Sequence, residues 1–206
     1  MAAVLADLRV EWKGLSPYRP TLEAMRAFTS ARGADTPDEL WLLEHPPVYT
    51  LGLAADPAHG PRSDTGIPVI NVERGGEVTY HGPGQLVVYT LVDLARRGLK
   101  VKQFVRMLEQ SVIELLDGRA QTRDGAPGVY VEGAKVAALG IRVSRGCAFH
   151  GLSLNVDMDL APFSAIDPCG YPGLRVTTTR ELGYEFGLRS AGERLADILA
   201  RRLADA

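Results

Sequence analysis

The chain has little cysteine, few aromatic residues and no excess of charge of either sign. Its 206 residues include two cysteines, Cys147 and Cys169, too few for a disulfide framework. Aromatic residues make up 7%, and 23 Lys and Arg stand against 25 Asp and Glu, for a net charge of −2. Such a balance gives no overall field to attract nucleic acid or an anionic membrane. We therefore expect a reduced, soluble, cytoplasmic protein that binds neither.

Long hydrophobic runs, repeats and low-complexity tracts are also absent from the sequence. The first fourteen residues include Asp7 and Arg9 and have no long apolar stretch, so we expect neither a signal peptide nor a membrane span there. No linker separates two parts, which predicts a single domain over residues 1–206. Glycine and proline, 22 and 13 residues, exceed their usual share and indicate many turns and closely approached backbone.

Apolar periodicity predicts three helices, over residues 21–32, over 101–117 with Gly118 as the stop, and after Ser190. Ser190 and Glu193 have the spacing of a capping box. Strands are predicted over 40–44, 48–51, 85–92, 135–143 and 147–156, the last two joined by a hairpin turn at 144–146. Runs of strands interrupted by single helices favour an α+β fold.

Cys169 lies in a proline- and glycine-rich loop over residues 162–173. A lone cysteine is usually a small buried hydrophobe, but a thiol on such a loop can be reached by a substrate, as a nucleophile requires. Both interpretations stay open for Cys169. Cys147 opens a predicted strand, on the face opposite to Ala148, and is interpreted as structural.

Two polar residues fall on apolar strand faces. By alternation Lys135 shares a face with Ala137 and Leu139, so its amine should enter the interior or the edge of a pocket. It is either a lysine whose stem packs while its head reaches water, or a partly desolvated amine with a lowered pKa that could transfer protons. His150 is also on the apolar side of its strand, where a histidine is more often a satisfied core residue than a catalyst.

The segment 74–85 has four glycines in twelve residues, just before a buried strand. They could admit a ligand to the main chain or form a bulge and a turn. The segment is neither a Walker loop nor a dinucleotide fingerprint, and the chain has no Gly-x-Ser-x-Gly elbow. The spacing of the four histidines and two cysteines predicts no metal site. A basic cluster, Arg96, Arg97, Lys100 and Lys102, is interpreted as a solvated face or a dock for an acidic protein.

The segment Arg74-Gly-Gly-Glu-Val-Thr-Tyr-His-Gly-Pro-Gly-Gln85 resembles the signature of the lipoyl(octanoyl) transferases. Residues 128–131 and 135–141, continuing to 146–156, are similar to a second family segment, and Pro168-Cys-Gly170 to a third. The resemblance runs from about residue 40 to 183, in the order that the family shows. It implies a fold like that of biotin and lipoate protein ligases, with helices on one side of a mixed, largely antiparallel sheet.

The resemblance further implies an acyltransferase that moves an octanoyl group from octanoyl-acyl carrier protein to a lysine of lipoyl domains, the first step of protein lipoylation. The acceptors would be lipoyl domains of 2-oxoacid dehydrogenase E2 subunits and glycine cleavage H protein, and no cofactor is implied. Cys169 would carry the acyl group as a thioester, with Lys135 as acid and base and His150 as a possible supporting residue. The implied substrate-binding residues are Arg74, Gly75, Gly76, Glu77, Val78, Thr79, Tyr80, His81, Ala138, Leu139, Gly140, Gly151, Leu152 and Ser153.

This chemistry needs no nucleotide, because thioester exchange is nearly isoenergetic and conversion of a thioester to an amide is downhill. Leu139 and Leu152 could line an apolar slot for the chain, and amides near Cys169 or Gly140 could stabilise an oxyanion. Three alternatives remain: an ATP-dependent lipoate–protein ligase of the same fold, a hydrolytic cysteine enzyme, and a non-catalytic module that docks lipoyl domains.

Overall fold

The structure is a computed structural model that describes residues 8–62 and 64–206. The described residues form two β-sheets. In spatial order the larger sheet has strands β1 (Leu8–Leu15), β2 (Asp38–Glu44), β6 (Gln85–Asp93), β9 (Cys147–Asn155), β8 (Ala134–Ser144) and β7 (Gly128–Val131). The smaller has β4 (Val69–Asn71), β3 (Val48–Leu51) and β5 (Val78–His81). In each described sheet one strand pair is parallel and the others are antiparallel. The mixed, largely antiparallel α+β prediction is confirmed.

Three α-helices, α1 (Tyr18–Ala31), α2 (Val101–Leu115) and α3 (Leu188–Ala204), cover both faces of the larger sheet. On β6, Leu86 and Val88 pack with α2 and α3, whereas Val87 and Tyr89 pack with α1. A strand covered on both faces is apolar at nearly every position, which explains the continuous run at 85–92. The expected placement of helices on one side is therefore wrong, since α1 lies on the opposite face.

The helix ends differ from the sequence prediction in part. α1 begins at Tyr18, three residues before the predicted start at residue 21. Pro20 is tolerated in its first turn because backbone N–H groups there have no partner within the helix. The capping box at Ser190 is wrong: α3 begins at Leu188 after Gly187, and Glu193 accepts a hydrogen bond from Arg189. The predicted stop after α2 is confirmed, since Gly118 has φ +74° and donates its N–H to an α2 carbonyl.

The β8–β9 hairpin is confirmed, with a two-residue turn at Arg145 and Gly146. Both residues have positive φ, +50° and +81°, as in the type I′ turns that match strand twist. This hairpin places the middle of β8 beside the middle of β9.

None of the described helices is long and apolar enough to cross a membrane. The signal-peptide expectation falls largely on residues 1–7, outside the described residues.

Part of the basic cluster is an internal ion-pair network. Arg96 and Arg97 approach the buried Asp38 carboxylate at 2.9 and 2.6 Å, and Arg32 binds it as well. Arg97 also donates to the Leu203 carbonyl in α3. The interpretation as a solvated face or docking patch is therefore wrong for Arg97, whose half-buried guanidinium group neutralises a carboxylate inside the fold, whereas Arg96, Lys100 and Lys102 are exposed.

Candidate active site

A cavity of about 610 Å³ opens beside the middle of β8 and β9. Its rim includes the exposed residues Gly76, Gly125 and Tyr171, while its inner end includes the buried Tyr18, Tyr89 and His150. A volume of this size is typical of sites for small ligands. The lining brings together fifteen of the residues singled out in the sequence: Arg74, Gly75, Gly76, Glu77, Val78, Thr79, His81, Ala138, Leu139, Gly140, His150, Gly151, Leu152, Ser153 and Cys169.

Lys135 and Cys169 meet at one side of this cavity. The Nζ of Lys135 donates a hydrogen bond to the Sγ of Cys169 over 2.8 Å and a second to the Pro127 carbonyl over 3.0 Å. Lys135 is 3% exposed. Its main chain bonds to residues 175–177 of the segment that follows Cys169, with its N–H donating to Arg175 and its carbonyl accepting from Thr177. The pair is thus fixed by the main chain as well as by side chains.

A β-bulge decides which way Lys135 points. Tyr130 pairs with Lys135, but the preceding Val129 pairs with Ala137, so β8 has one extra residue, Val136. Val136 and Ala137 both pack in the core under α2, and Lys135 joins Cys169 in a small pocket next to the main cavity. The prediction that Lys135 shares a face with Ala137 is therefore wrong, because the bulge reverses the alternation of side chains along β8.

The surroundings of Lys135 raise its pKa, whereas burial alone would lower it. Burial lowers the pKa of Lys135, but the nearby Cys169 and the hydrogen bond to it outweigh burial and raise the pKa above its ordinary value. Of the two interpretations left open for Lys135, the one with a lowered pKa is therefore wrong. A raised pKa keeps the Lys135 amine protonated at neutral pH, so that it can donate its hydrogen bond to the Cys169 sulfur.

Cys169 sits in a strained turn within the predicted loop, which contains the short 3₁₀ helices Ala161–Ala165 and Pro168–Gly170. Its φ is +59°, a conformation uncommon for residues other than glycine. The turn is held through Asp167, whose carboxylate binds Arg62 and also lies 3.1 Å from the Nδ1 of His59. A neighbouring segment therefore fixes a backbone conformation that would be costly without support.

Two glycines let side chains and loops approach β8. A Cβ on Gly128 would lie 2.8 Å from the Cε and 2.9 Å from the Nζ of Lys135, and its φ of +145° disfavours other residues. A Cβ on Gly140 would lie 2.8 Å from the Gly75 carbonyl. Gly75 donates its N–H to Ile141, so the glycine-rich segment docks directly on β8.

Arg74 anchors that segment from inside. It is 8% exposed, and its guanidinium donates to the Thr50 carbonyl at 2.8 Å, to the Thr50 hydroxyl at 2.9 Å and to the Gly75 carbonyl. Burial lowers its pKa from the ordinary value. Part of the segment is strand β5, which the local pattern does not predict, and the rest lines the cavity near its rim.

One predicted site residue does not line the cavity, and some residues that line it were not predicted from the sequence. Tyr80 does not line it, because alternation on β5 turns this ring towards Tyr49 and Phe163. Tyr18 and Tyr89 line the inner end, although no motif marked them. Part of the rim is the segment 125–127, whose Gly-Ala-Pro sequence is a turn signal that could have been noticed.

His150 is not a satisfied core residue, contrary to the simpler interpretation. It is 1% exposed, and neither ring nitrogen has a hydrogen-bond partner among the described residues. Its φ of +62° departs from strand geometry, and the side chain lines the cavity rather than the core under α2. Burial lowers the pKa of His150 to about 3, so the ring is neutral.

Cys147 lies away from this site. It is 7% exposed, and burial raises the pKa of its thiol. Both observations fit the structural interpretation of this cysteine.

Solved structures with the same fold include lipoate and biotin protein ligases. The chain superposes on a lipoate-protein ligase A bound with ATP with a TM-score of 0.74, at 16% identity, covering 97% of this chain and 94% of that one. A biotin protein ligase from Aquifex aeolicus in complex with biotin and ATP gives 0.62, at 16% identity over 95% and 70% of the two chains. The fold class is therefore that of the lipoate and biotin protein ligases.

Sequence comparison is more specific. Residues 17–200 match the lipoyl protein ligase A/B catalytic domain family. An octanoyltransferase of Aromatoleum aromaticum is 58% identical over 92% of this chain and 83% of its own length, and one of Azoarcus sp. is 55% identical over 98% and 90%. The chain belongs to the octanoyltransferases of the lipoyl protein ligase A/B family. It is an acyltransferase that acts in octanoyl transfer for lipoylation.

Proposed function

We propose that the protein transfers an octanoyl group from octanoyl-acyl carrier protein to a lysine of lipoyl domains, through a thioester on Cys169. Lys135 acts as the acid and base of both steps. The acceptors would be lipoyl domains of 2-oxoacid dehydrogenase E2 subunits and glycine cleavage H protein. This proposal covers the donor, the acceptors and the roles of Cys169 and Lys135. The observation that carries it is the 2.8 Å contact between the Lys135 ammonium and the Cys169 sulfur at the cavity wall.

In the first step the Cys169 sulfur attacks the carbonyl carbon of the donor thioester. The C–S bond to the carrier's thiol breaks, the new C–S bond forms on Cys169, and Lys135 gives its proton to the departing thiolate. A cysteine on an accessible turn beside a cation is suited to this attack. Lys135 is left neutral and ready to accept a proton.

In the second step the acceptor lysine amine attacks the acyl-Cys169 carbonyl. Lys135 takes the proton that the nitrogen loses as the amide forms, and the C–S bond breaks to return the Cys169 thiolate. The Lys135 ammonium and the free Cys169 sulfur are thereby restored. No ATP is consumed, because the donor thioester supplies the free energy.

The cavity supplies the acyl site in this proposal. The side chains of Leu139 and Leu152 give it apolar surface, and the glycines of residues 75–76, 140 and 151 let the chain lie close to the main chain. Favourable burial of about 0.8 kcal/mol per methylene makes an eight-carbon chain a tightly held group.

Intact-mass analysis tests the proposal. After mixing with octanoyl-acyl carrier protein, the protein should gain one octanoyl group and lose it when a lipoyl domain is added. Cys169→Ser should gain none, while Cys147→Ser should behave as the parent. Acceptor modification in Cys169→Ser at the parent rate would refute the thioester, and a requirement for ATP with free octanoate would favour the ligase alternative.

A further inference from the structure

The inner end of the cavity has an unused hydrogen-bonding group. The Tyr89 hydroxyl lies 2.7 Å from the Nε2 of His45, and the Nδ1 of His81 lies 2.6 Å from the Gln85 side chain. Arg74 has one unpaired nitrogen, Nε, but its two terminal nitrogens donate to Thr50 and Gly75. By contrast, both ring nitrogens of His150 lack a partner within the described part of the chain, although the residue is 1% exposed. Buried polar groups are normally paired, so two unpaired ring nitrogens on a residue that lines the cavity are available to a ligand.

The position of His150 matches the far end of an acyl chain on Cys169. Ser153 lines the small pocket that holds Lys135 and Cys169. His150 is three residues from Ser153 on β9, and a strand advances about 3.4 Å per residue, which separates them by roughly 10 Å. An octanoyl chain has seven carbon–carbon bonds of about 1.5 Å each and reaches roughly 9 Å when extended in a zigzag. An extended chain that runs from Cys169 along β9 would therefore bring its last carbon close to His150.

We propose that His150 determines specificity at the end of the acyl chain, by hydrogen bonding to a hydroxyl on the terminal carbon of a medium-chain acyl group. A neutral imidazole has one donor and one acceptor nitrogen, which is the complement of a hydroxyl. The enzyme then transfers ω-hydroxylated octanoyl groups as well as octanoyl itself. This inference rests on the proposed function, because it requires the acyl group to be attached at Cys169.

The test compares three acyl groups on the same carrier protein: octanoyl, 8-hydroxyoctanoyl and 3-hydroxyoctanoyl. In the parent enzyme, kcat/KM for the 8-hydroxy donor should be within about tenfold of that for octanoyl. The 3-hydroxy donor should be at least about tenfold poorer than the 8-hydroxy donor, since its hydroxyl is buried without a partner.

Substitution of the histidine gives the second arm. In His150→Phe the ratio of kcat/KM for 8-hydroxyoctanoyl to that for octanoyl should fall at least about tenfold. The ratio is measured within one variant, so a general loss of activity does not affect it. His150→Gln, which keeps a polar group, should retain more of the ratio than His150→Phe, and Cys147→Ser on the same strand should keep the parent ratio.

A parent enzyme that rejects the 8-hydroxy donor more than about a hundredfold, or that treats the two hydroxylated donors alike, would overturn the inference. An unchanged ratio in His150→Phe would do so as well. Failure of every donor to acylate Cys169 would instead show that the proposed function is wrong. The comparison of 8-hydroxy with 3-hydroxy donors needs no variant and decides the matter even where His150→Phe does not fold.

Discussion

The Nζ of Lys135 lies 2.8 Å from the Sγ of Cys169, although 34 positions of sequence separate the two residues. Three features of the chain produce this contact. The bulge at Val136 turns the lysine out of the core, Gly128 leaves room for its stem, and the turn at Cys169 presents the sulfur. Each feature can be altered separately.

Replacing the amine tests its role directly. Lys135→Met keeps the length of the stem but removes the proton and the charge, so the rate of Cys169 acylation should fall by about 10²–10⁴-fold. Rapid-quench mass spectrometry measures this rate, with thermal unfolding as the check on folding. A folded Lys135→Met that acylates and transfers at the parent rate would show that the assigned role is wrong.

Gly128→Ala should disturb the contact between Lys135 and Cys169 without replacing either residue. The new Cβ would collide with the Lys135 stem and with the Ala137 carbonyl at 2.9 Å, in a backbone conformation that disfavours alanine. We expect a loss of at least about tenfold in kcat/KM, consistent with the effect of misplacing a catalytic group by about 1 Å. Gly33→Ala is the matched control, because nothing lies within 4 Å of its added Cβ. Equal activity of the two variants would contradict this account of Gly128.

The turn that presents Cys169 depends on Asp167. Asp167→Asn weakens the contacts with Arg62 and His59, which currently lower the pKa of the carboxyl group. The acylation rate should fall by about tenfold, because the strained Cys169 conformation loses support. Asp124→Asn, on the exposed neighbouring loop, serves as the control. An acylation rate in Asp167→Asn equal to that of the control would rule out this positioning role.

Acid should destabilise the fold through three buried histidines. Burial lowers the pKa of His45 from 6.5 to about 4, and burial likewise lowers that of His81 and His150 to about 3. Below pH 6.5 the unfolded chain binds protons that the folded chain does not. The stability from these neutral rings is therefore complete above that pH and is lost as pH falls towards 4 and 3.

Between pH 7 and 5 the free energy of unfolding should drop by up to about 2 kcal/mol per histidine. Urea denaturation at the two pH values measures the drop, and a folded His81→Asn should show a smaller one. Equal stability of the parent at pH 7 and pH 5 would mean that the rings are not held neutral.

The sequence predicted the parts of the fold that depend on local pattern. The run at 85–92, the stop at Gly118 and the turn at Arg145 and Gly146 follow from periodicity and from the φ values that each residue type tolerates. The predicted capping box at Ser190 is wrong because the helix begins earlier, at Leu188 after Gly187. Competing caps within three residues cannot be ranked by spacing alone.

The site was predicted through its motifs rather than its geometry. Alternation placed Lys135 with Ala137, because a bulge leaves no mark in the local pattern. The orientation of His150 depends on a positive φ that its residue type does not suggest. Tyr18 reaches the cavity from a separate helix, so its presence there depends on packing between distant segments.

The most direct test of the central claim is single-turnover kinetics of the Cys169 thioester. Octanoyl-acyl carrier protein, enzyme and a lipoyl domain are mixed, quenched at millisecond intervals and analysed by intact mass. We expect the acyl-Cys169 species to appear before the octanoylated lipoyl domain and to decay at a rate no slower than kcat. Product that forms ahead of that species, or an acyl-enzyme that decays more slowly than turnover, would contradict this expectation.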